Sequence, residues 1–530
     1  MKKSNKIINI ILSLFIIIQP ILELVYLENS YIFNIKLSTF IRLLIFSILL
    51  LFLILKKREL KYKKYFIAYL IIVFIYFFLH HINALNFNSF NENNFNYNIF
   101  EEISYILRML IPIFLIYLIL NINYEEKRLT RTCIITVSII SLTILISNIF
   151  KFSFSSYGYG IIKGNIIDWF YKIGEYNYLD LASRGLFNTV IIFYLIILLI
   201  PYIIYKYYIC ENKKLDIMYM LLIIISLLGA FIVGTKATTY GFIIILIVIL
   251  ILNLFFATLK KDYKFKIKKN IFIFACIIFS FLIIPYSPMN NRNNIDSSIA
   301  SDKKIIEKEN RKLISTTYYS FIENYLTEEE KTLLKDKKEI NIKYLLKLMK
   351  NEEQKKAMLI DIIGLHYSYY GLTDKFIISS YPYTIDPYFW NQFVNETKLE
   401  ERSNNRMVVQ KIYNRILDIN NNKYDKLFGI TFSRASKIFP LERDFIYQYY
   451  SLGIIGLILL LGPYLFVVFI TIFKMFKDIK GKLTYNNCSL LLGIGLTLCL
   501  AFYSGNTMEN LSITIPMGIL CGYILKKILD

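Results

Sequence analysis

The amino-acid sequence predicts an all-α membrane protein of about twelve transmembrane helices, with one large, mostly helical extracytoplasmic loop between spans 9 and 10. Three observations carry this expectation. Of the 530 residues, 56% are hydrophobic, and mean hydropathy is +0.49, well above that of a soluble domain. Apolar runs of spanning length, or nearly so, recur along the whole chain, with one long hydrophilic interruption at 287–444. Lysine and arginine cluster on alternate connections between those runs.

Taken in order, the runs cover about 7–27, 34–55, 64–80, 104–122, 132–150, 181–205, 216–233, 238–259, 270–286, 445–473, 487–504 and 511–525. The first follows Met1 to Asn5 and lacks a small-residue cleavage site, so it reads as a retained helix and not a signal peptide. The seventh and eighth are parted by a short turn at Gly234. With the N-terminus inside, the inside connections hold basic clusters such as Lys2, Lys3 and Lys6, or Lys127, Arg128 and Arg131. The short outside connections hold only Lys151, Lys163, Lys172 and Lys236. That asymmetry predicts twelve spans with both termini cytoplasmic. It also accounts for the net charge of +22 without invoking nucleic acid.

Three outside segments exceed a turn. Residues 81–103 are Asn-rich and of low complexity, as in a mobile loop; residues 151–180 carry Gly, Tyr and Trp169. In 287–444, apolar residues recur at helical spacing over 311–326, 341–364 and 406–419, predicting a helical subdomain. The expected division is therefore 1–286 (spans 1–9), 287–444 (the loop subdomain) and 445–530 (spans 10–12). The six cysteines lie in or beside apolar runs and form no CxxC or disulfide pattern. No Walker motif or GxGxxG occurs, which disfavours ATP-driven transport by this chain.

On this topology the ionisable residues within the spans fall on the outer half. Arg42, Arg108, Arg184 and Lys236 lie at similar depth, with Glu23, Glu442, Asp444 and Glu509 nearby. Charges at such positions are costly and mark functional sites. Each also has a plainer reading: a pair between Arg42 and Glu23, snorkelling of Arg108 and Arg184 to headgroups, a turn lysine at 236, and a helix cap at Asp444. Together, the basic groups suit the diphosphate of a lipid carrier, since guanidinium forks match phosphate oxygens. Either Glu442 or Asp444, at the mouth of span 10, is placed to act as general base on an attacking hydroxyl. His80 and His81 read as interfacial, and His366 as a packing or surface residue. No HExxH, no paired DxD at a first outer loop and no Cys/His cluster appears, so neither a metal nor a cofactor is expected.

Several stretches carry a resemblance. QPILELV at 19–25 precedes STFIRLLIF at 38–46, and EEISYILRMLIP spans 101–112. GTKATTYG lies at 234–241, DPYFW at 386–390, NNR at 404–406 and LFGITFSRAS at 427–436. ERDFIYQYYSLGIIGL at 442–457 opens the tenth span. In this order and spacing the chain resembles the O-antigen ligase/polymerase-like family of membrane glycosyltransferases, in the branch of Gram-positive and other low-GC bacteria. The resemblance covers nearly the whole length. It implies that Lys236, with loop arginines such as Arg406 or Arg434, holds a lipid diphosphate. It also implies a base at the opening of span 10, where relatives carry a His-Asn pair and this chain aligns Glu442. Arg434 and Arg443 are then expected to flank that base.

The resulting expectation is a surface-polysaccharide polymerase or ligase in the bacterial cytoplasmic membrane, using no metal. Its donor is an undecaprenyl-diphosphate-linked oligosaccharide and its acceptor a sugar hydroxyl. Other expected partners are membrane lipid and further polysaccharide-assembly proteins. Glu442 or Asp444 takes the proton, while Arg42, Arg108, Arg184, Lys236, Arg406, Arg434 and Arg443 supply donor-binding charge. Tyr381, Tyr383, Tyr388, Phe389 and Trp390 serve either to stack on sugars or to build the loop core. The alternative, a flippase or exporter of the lipid-linked unit, predicts polar residues along a path through the midplane, which the sequence lacks.

Overall fold

In the computed structural model the chain is almost entirely helical. It describes residues 2–32, 35–56, 60–88, 96–171, 175–259, 265–297, 318, 320–334, 342–402, 404–439 and 441–530. Among the described residues, twelve helices are long and apolar enough to cross a membrane: Asn5–Leu22, Leu37–Leu55, Lys63–Leu85, Ile99–Leu120, Glu126–Ile149, Val190–Ile209, Lys213–Val233, Lys236–Thr258, Ile267–Tyr286, Asp444–Lys477, Tyr485–Tyr503 and Leu511–Leu529, spans 1 to 12 in that order. Each corresponds to an expected run. At 1.5 Å per residue even the shortest approaches the roughly 30 Å of a hydrocarbon core.

Two boundaries differ from the apolar pattern for a common reason. Leu24 pairs with Phe187 in an antiparallel bridge. Val25 N donates to Leu186 O at 3.0 Å and Asn188 N to Glu23 O at 2.8 Å. This pairing ends span 1 at Leu22 and keeps 182–189 out of the helix, so span 6 begins at Val190 and Arg184 lies ahead of it.

Spans 6 and 12 form the bundle centre, with 78% and 83% of their apolar windows buried; span 3, at 17%, is peripheral. Without a hydrophobic drive between helices in lipid, close packing needs small residues at the contact. Gly518 and Gly522 provide it between spans 12 and 4: a Cβ at 518 would stand 2.5 Å from Pro112 O, and one at 522 would stand 2.9 Å from Ile116 O.

Between spans 9 and 10 lies a helical region with its own core. Its longer helices are Glu352–His366, Pro387–Glu396 and Asn405–Asn420, with Ile342–Leu348 before them. Each longer helix starts where a side chain caps it. Asn351 accepts from Glu353 N and Gln354 N, Asp386 from Phe389 N with Pro387 in the first turn, and Asn404 from Arg406 N. These match the helical spacing expected over 341–364 and 406–419. Of the stretch 311–326, residues 320–325 are helical, while 311–317 and 319 lie outside the described residues. Of 81–103, residues 89–95 lie outside them; 81–85 belong to span 3 and 99–103 to span 4. Lys172, which enters the charge count, also lies outside them.

Candidate functional site

Span 10 is broken at Gly453, whose φ of 71° and ψ of 179° interrupt the helix. The break frees the carbonyls of the preceding turn, and in a membrane each unpaired carbonyl costs several kcal/mol (roughly). The segment 427–431 crosses here and satisfies them. Ile430 N donates to Tyr450 O and Thr431 N to Ser451 O, both at 2.9 Å, and Tyr76 Oη donates to Leu452 O at 2.7 Å. The crossing is so close that a Cβ on Gly453 would lie 2.3 Å from Leu427 O, and one on Gly429 would lie 2.3 Å from Ser451 O. Lower in the same helix, Pro463 cannot donate to Leu459 O, and Tyr69 Oη donates to it at 2.9 Å.

A buried polar network latches the crossing segment to spans 3 and 4. Asn83 Nδ2 donates to Asp425 Oδ1 at 2.9 Å and to Gly429 O at 3.1 Å. His80 lies between Phe428 O and Glu102 Oε2, and Glu102 Oε1 accepts from Ser433 N at 2.6 Å. His80 is fully buried; it is a latch, not the interfacial residue its span-end position suggests. His366 packs within its helix, its Nδ1 against Ile362 O.

This scaffold fixes the start of span 10 beside the 504–508 turn. Asp444 is fully buried, and its Oδ2 accepts from Thr507 N at 2.6 Å and Met508 N at 3.0 Å. It clamps another loop and does not cap its own helix, whose N-cap is Arg443. Arg443 pairs with Gly505 in a parallel bridge.

Above this joint opens a cavity of about 980 Å³. Its wall brings together Lys236, Arg292, Arg406 and Arg443 with Asp296 and Glu442, from stretches far apart in sequence. Arg406 forks onto Glu442 Oε2 through Nη2 at 3.0 Å and Nε at 3.3 Å, and its Nη1 donates to Tyr503 O at 3.1 Å. The Glu442 side chain stays 60% exposed and that of Arg406 33%. Lys236 starts span 8 just after the Gly234–Thr235 turn, where Thr235 Oγ1 accepts from Thr238 N at 3.1 Å. Tyr157 Oη braces that turn by donating to Gly234 O at 2.9 Å. The Arg292 guanidinium stacks 4.4 Å over the Tyr157 ring and pairs with Asp296 at 3.4 Å. Among the described residues, exposed Lys236 has no ion-pair partner, and the buried Nε of Arg443 has no hydrogen-bond partner. The cavity is thus rich in cationic donors, the arrangement that takes an anion with several oxygens.

Of the residues singled out from sequence, Lys236, Arg406, Glu442 and Arg443 meet at this cavity. The others lie elsewhere. Arg42 is buried and donates to Glu23 Oε1 at 2.7 Å and Gln19 Oε1 at 2.9 Å. Arg108, in span 4, is close enough to Glu509 for its charge to act on that carboxylate. Arg184 stacks 5.9 Å from Phe154, and burial pulls its guanidinium below the usual value. Arg434 is buried 4.2 Å over the Phe87 ring and donates to Ala84 O at 3.0 Å; burial lowers its value to about 10. Trp390 and Tyr381 are fully buried, joined by Trp390 Nε1 donating to Tyr381 O at 2.9 Å, and form part of the loop core.

Sequence reasoning misses Arg292, Asp296 and Tyr157. Arg292 sits in the Asn-rich stretch 290–294 and Asp296 just beyond it, at the start of the long hydrophilic segment 287–444. Their signal is the i, i+4 spacing of opposite charges on a helix that follows directly on span 9. A family model described as O-antigen ligase like membrane protein matches residues 4–530. No curated protein matches the chain.

Proposed function

The chain belongs to the O-antigen ligase like membrane protein family, and on that premise we propose that it is a glycosyltransferase that joins lipid-diphosphate-linked oligosaccharide to a sugar hydroxyl at the outer face of the cytoplasmic membrane. The carrying observation is the convergence of Lys236, Arg292, Arg406 and Arg443 with Glu442 on one cavity. Every lining segment lies on the same end of the bundle as the large helical region, the end poor in short-loop lysines. That bias supports an extracytoplasmic cavity and cytoplasmic termini. The helical region, the expected 287–444 subdomain, contributes Arg406 and Glu442 to the wall.

In the proposed reaction the acceptor hydroxyl attacks the anomeric carbon of the donor sugar. The new glycosidic C–O bond forms as the bond to the carrier diphosphate breaks. Glu442 receives the hydroxyl proton, and the bond electrons leave with the diphosphate. Lys236, Arg406 and Arg443 stabilise the charge that develops there, electrostatically and in place. Arg406 donates to Glu442 at the cavity wall. A diphosphate competes for the same guanidinium fork and so frees the carboxylate as the donor binds. Asp444, Arg42 and Arg434, buried in contacts of their own, act as supports in this scheme, while Arg108 and Arg184 lie outside the cavity wall.

The test is a deletion strain. Single lipid-linked units are expected to accumulate on the outer leaflet, with surface polysaccharide collapsing to one repeat for a polymerase, or losing its attachment with chain length intact for a ligase. Accumulation on the inner leaflet would identify a flippase and overturn the proposal.

A further inference from the structure

A second chamber lies beside the charged one. It has a volume of about 350 Å³, at the small end of the roughly 300–1,000 Å³ typical of ligand cavities. Trp169, Tyr176 and Tyr286 line it together with Asn290, Asn291 and Asn294, and none of its lining residues carries charge. That neutrality stands out in a chain of net charge +22 and beside a wall of arginines.

The two chambers share a partition. Residues 288–297 are helical, and positions two apart on a helix differ by roughly 200° in direction. Arg292 and Asp296 therefore face the charged cavity, while Asn290 and Asn294 face the neutral one. Trp169 is only 2% exposed, and its indole Nε1 has no hydrogen-bond partner among the described residues; the same holds for Asn291 Oδ1. Asn291 Nδ2 is held by Tyr176 O at 3.2 Å, and Asn290 Nδ2 by Pro285 O at 3.1 Å. A buried indole donor without a partner among the described residues is costly, and the indole ring itself lines the chamber.

Amides that both donate and accept, set among aromatic rings without charge, match the hydroxyls and C–H faces of a neutral sugar. They do not match a phosphate. We propose that this chamber is a sugar subsite that holds one end of the glycan while its reacting end lies in the charged cavity. That it serves glycan transfer rests on the proposed function; that it binds neutral sugar does not.

The chain contains two tryptophans, Trp169 and Trp390. In full-length Trp390→Phe protein in nanodiscs, Trp169 becomes the sole indole reporter. The probe is neutral repeat oligosaccharide, free of diphosphate, hydrolysed from the host's own surface polysaccharide. A saturable change in Trp169 emission is expected, and Asn290→Ala with Asn294→Ala should weaken it by about tenfold or more. If Trp390→Phe does not fold, the wild-type signal minus that of Trp169→Phe reports the same residue. No saturable change, or an equal one in the double asparagine variant, overturns the subsite. A response to a change of phospholipid headgroup in the nanodisc, with none to the oligosaccharide, also overturns it and assigns the chamber to lipid. Sugar binding that persists in a protein with no role in glycan transfer would instead sink the proposed function and leave the subsite standing.

Discussion

Asp444 and Glu442 stand two residues apart, and replacing each by its amide separates their roles. Asp444 is fully buried, with Oδ2 accepting from Thr507 N and Met508 N, and its Oδ1 has no partner among the described residues. Hydrogen bonds to a charged group contribute about 1.5–3 kcal/mol and neutral ones about 0.5–1.5, so replacing an ionised Asp444 by Asn loses about 1 kcal/mol at each of the two bonds. Its NH2 group then occupies the Oδ1 position without an acceptor, which adds about 1–3 kcal/mol. The sum is about 3–5 kcal/mol. Glu442 has an exposed side chain, and its ion pair with Arg406 contributes at most about 1 kcal/mol. Thermal unfolding of full-length protein in nanodiscs should therefore show Asp444→Asn melting several degrees early and Glu442→Gln melting like wild type. At a temperature well below both transitions, Asp444→Asn should retain most of its transfer rate. A variant Asp444→Asn that melts like wild type yet transfers no sugar would refute this reasoning and make Asp444 the reacting carboxylate.

Further expectations follow from the same geometry. Gly453→Ala should destabilise by at least about 2 kcal/mol, from a positive φ and a Cβ 2.3 Å from Leu427 O, while Gly495→Ala, with no atom within 4 Å of the added carbon, should be neutral in the same melt. Arg42→Met leaves Glu23 buried without its cation and should cost about 3–5 kcal/mol, largely recovered by adding Glu23→Leu; a raised donor KM with an unchanged melting point would make Arg42 a donor ligand. Lys236→Gln should leave the melting point unchanged and weaken binding of lipid-diphosphate donor by roughly tenfold, measured by equilibrium binding in nanodiscs.

The twelve spans are readable because length and hydropathy are local properties that a bilayer imposes on any sequence. The boundaries that slip, at Leu22 and Val190, do so because Leu24 and Phe187 pair across more than a hundred and sixty intervening positions, roughly, which no periodicity reports. Lys236, Arg406, Glu442 and Arg443 are findable as charges at one bundle end. Arg434 stands close to them in sequence, yet its helix turns it toward Phe87, which spacing does not reveal. The crossing of 427–431 over the break in span 10 is the largest feature hidden from the sequence. Gly429 and Gly453 mark it, but a glycine does not name the backbone it lets approach.

The most direct test is sugar transfer by purified protein in nanodiscs, given lipid-diphosphate-linked oligosaccharide and acceptor, with wild type compared to Glu442→Gln at equal donor occupancy. The glutamine variant is expected to bind donor and fold normally while its transfer rate falls by at least roughly a hundredfold, the contribution of a positioned general base. Transfer by Glu442→Gln at the wild-type rate would contradict the assignment of Glu442 as the base.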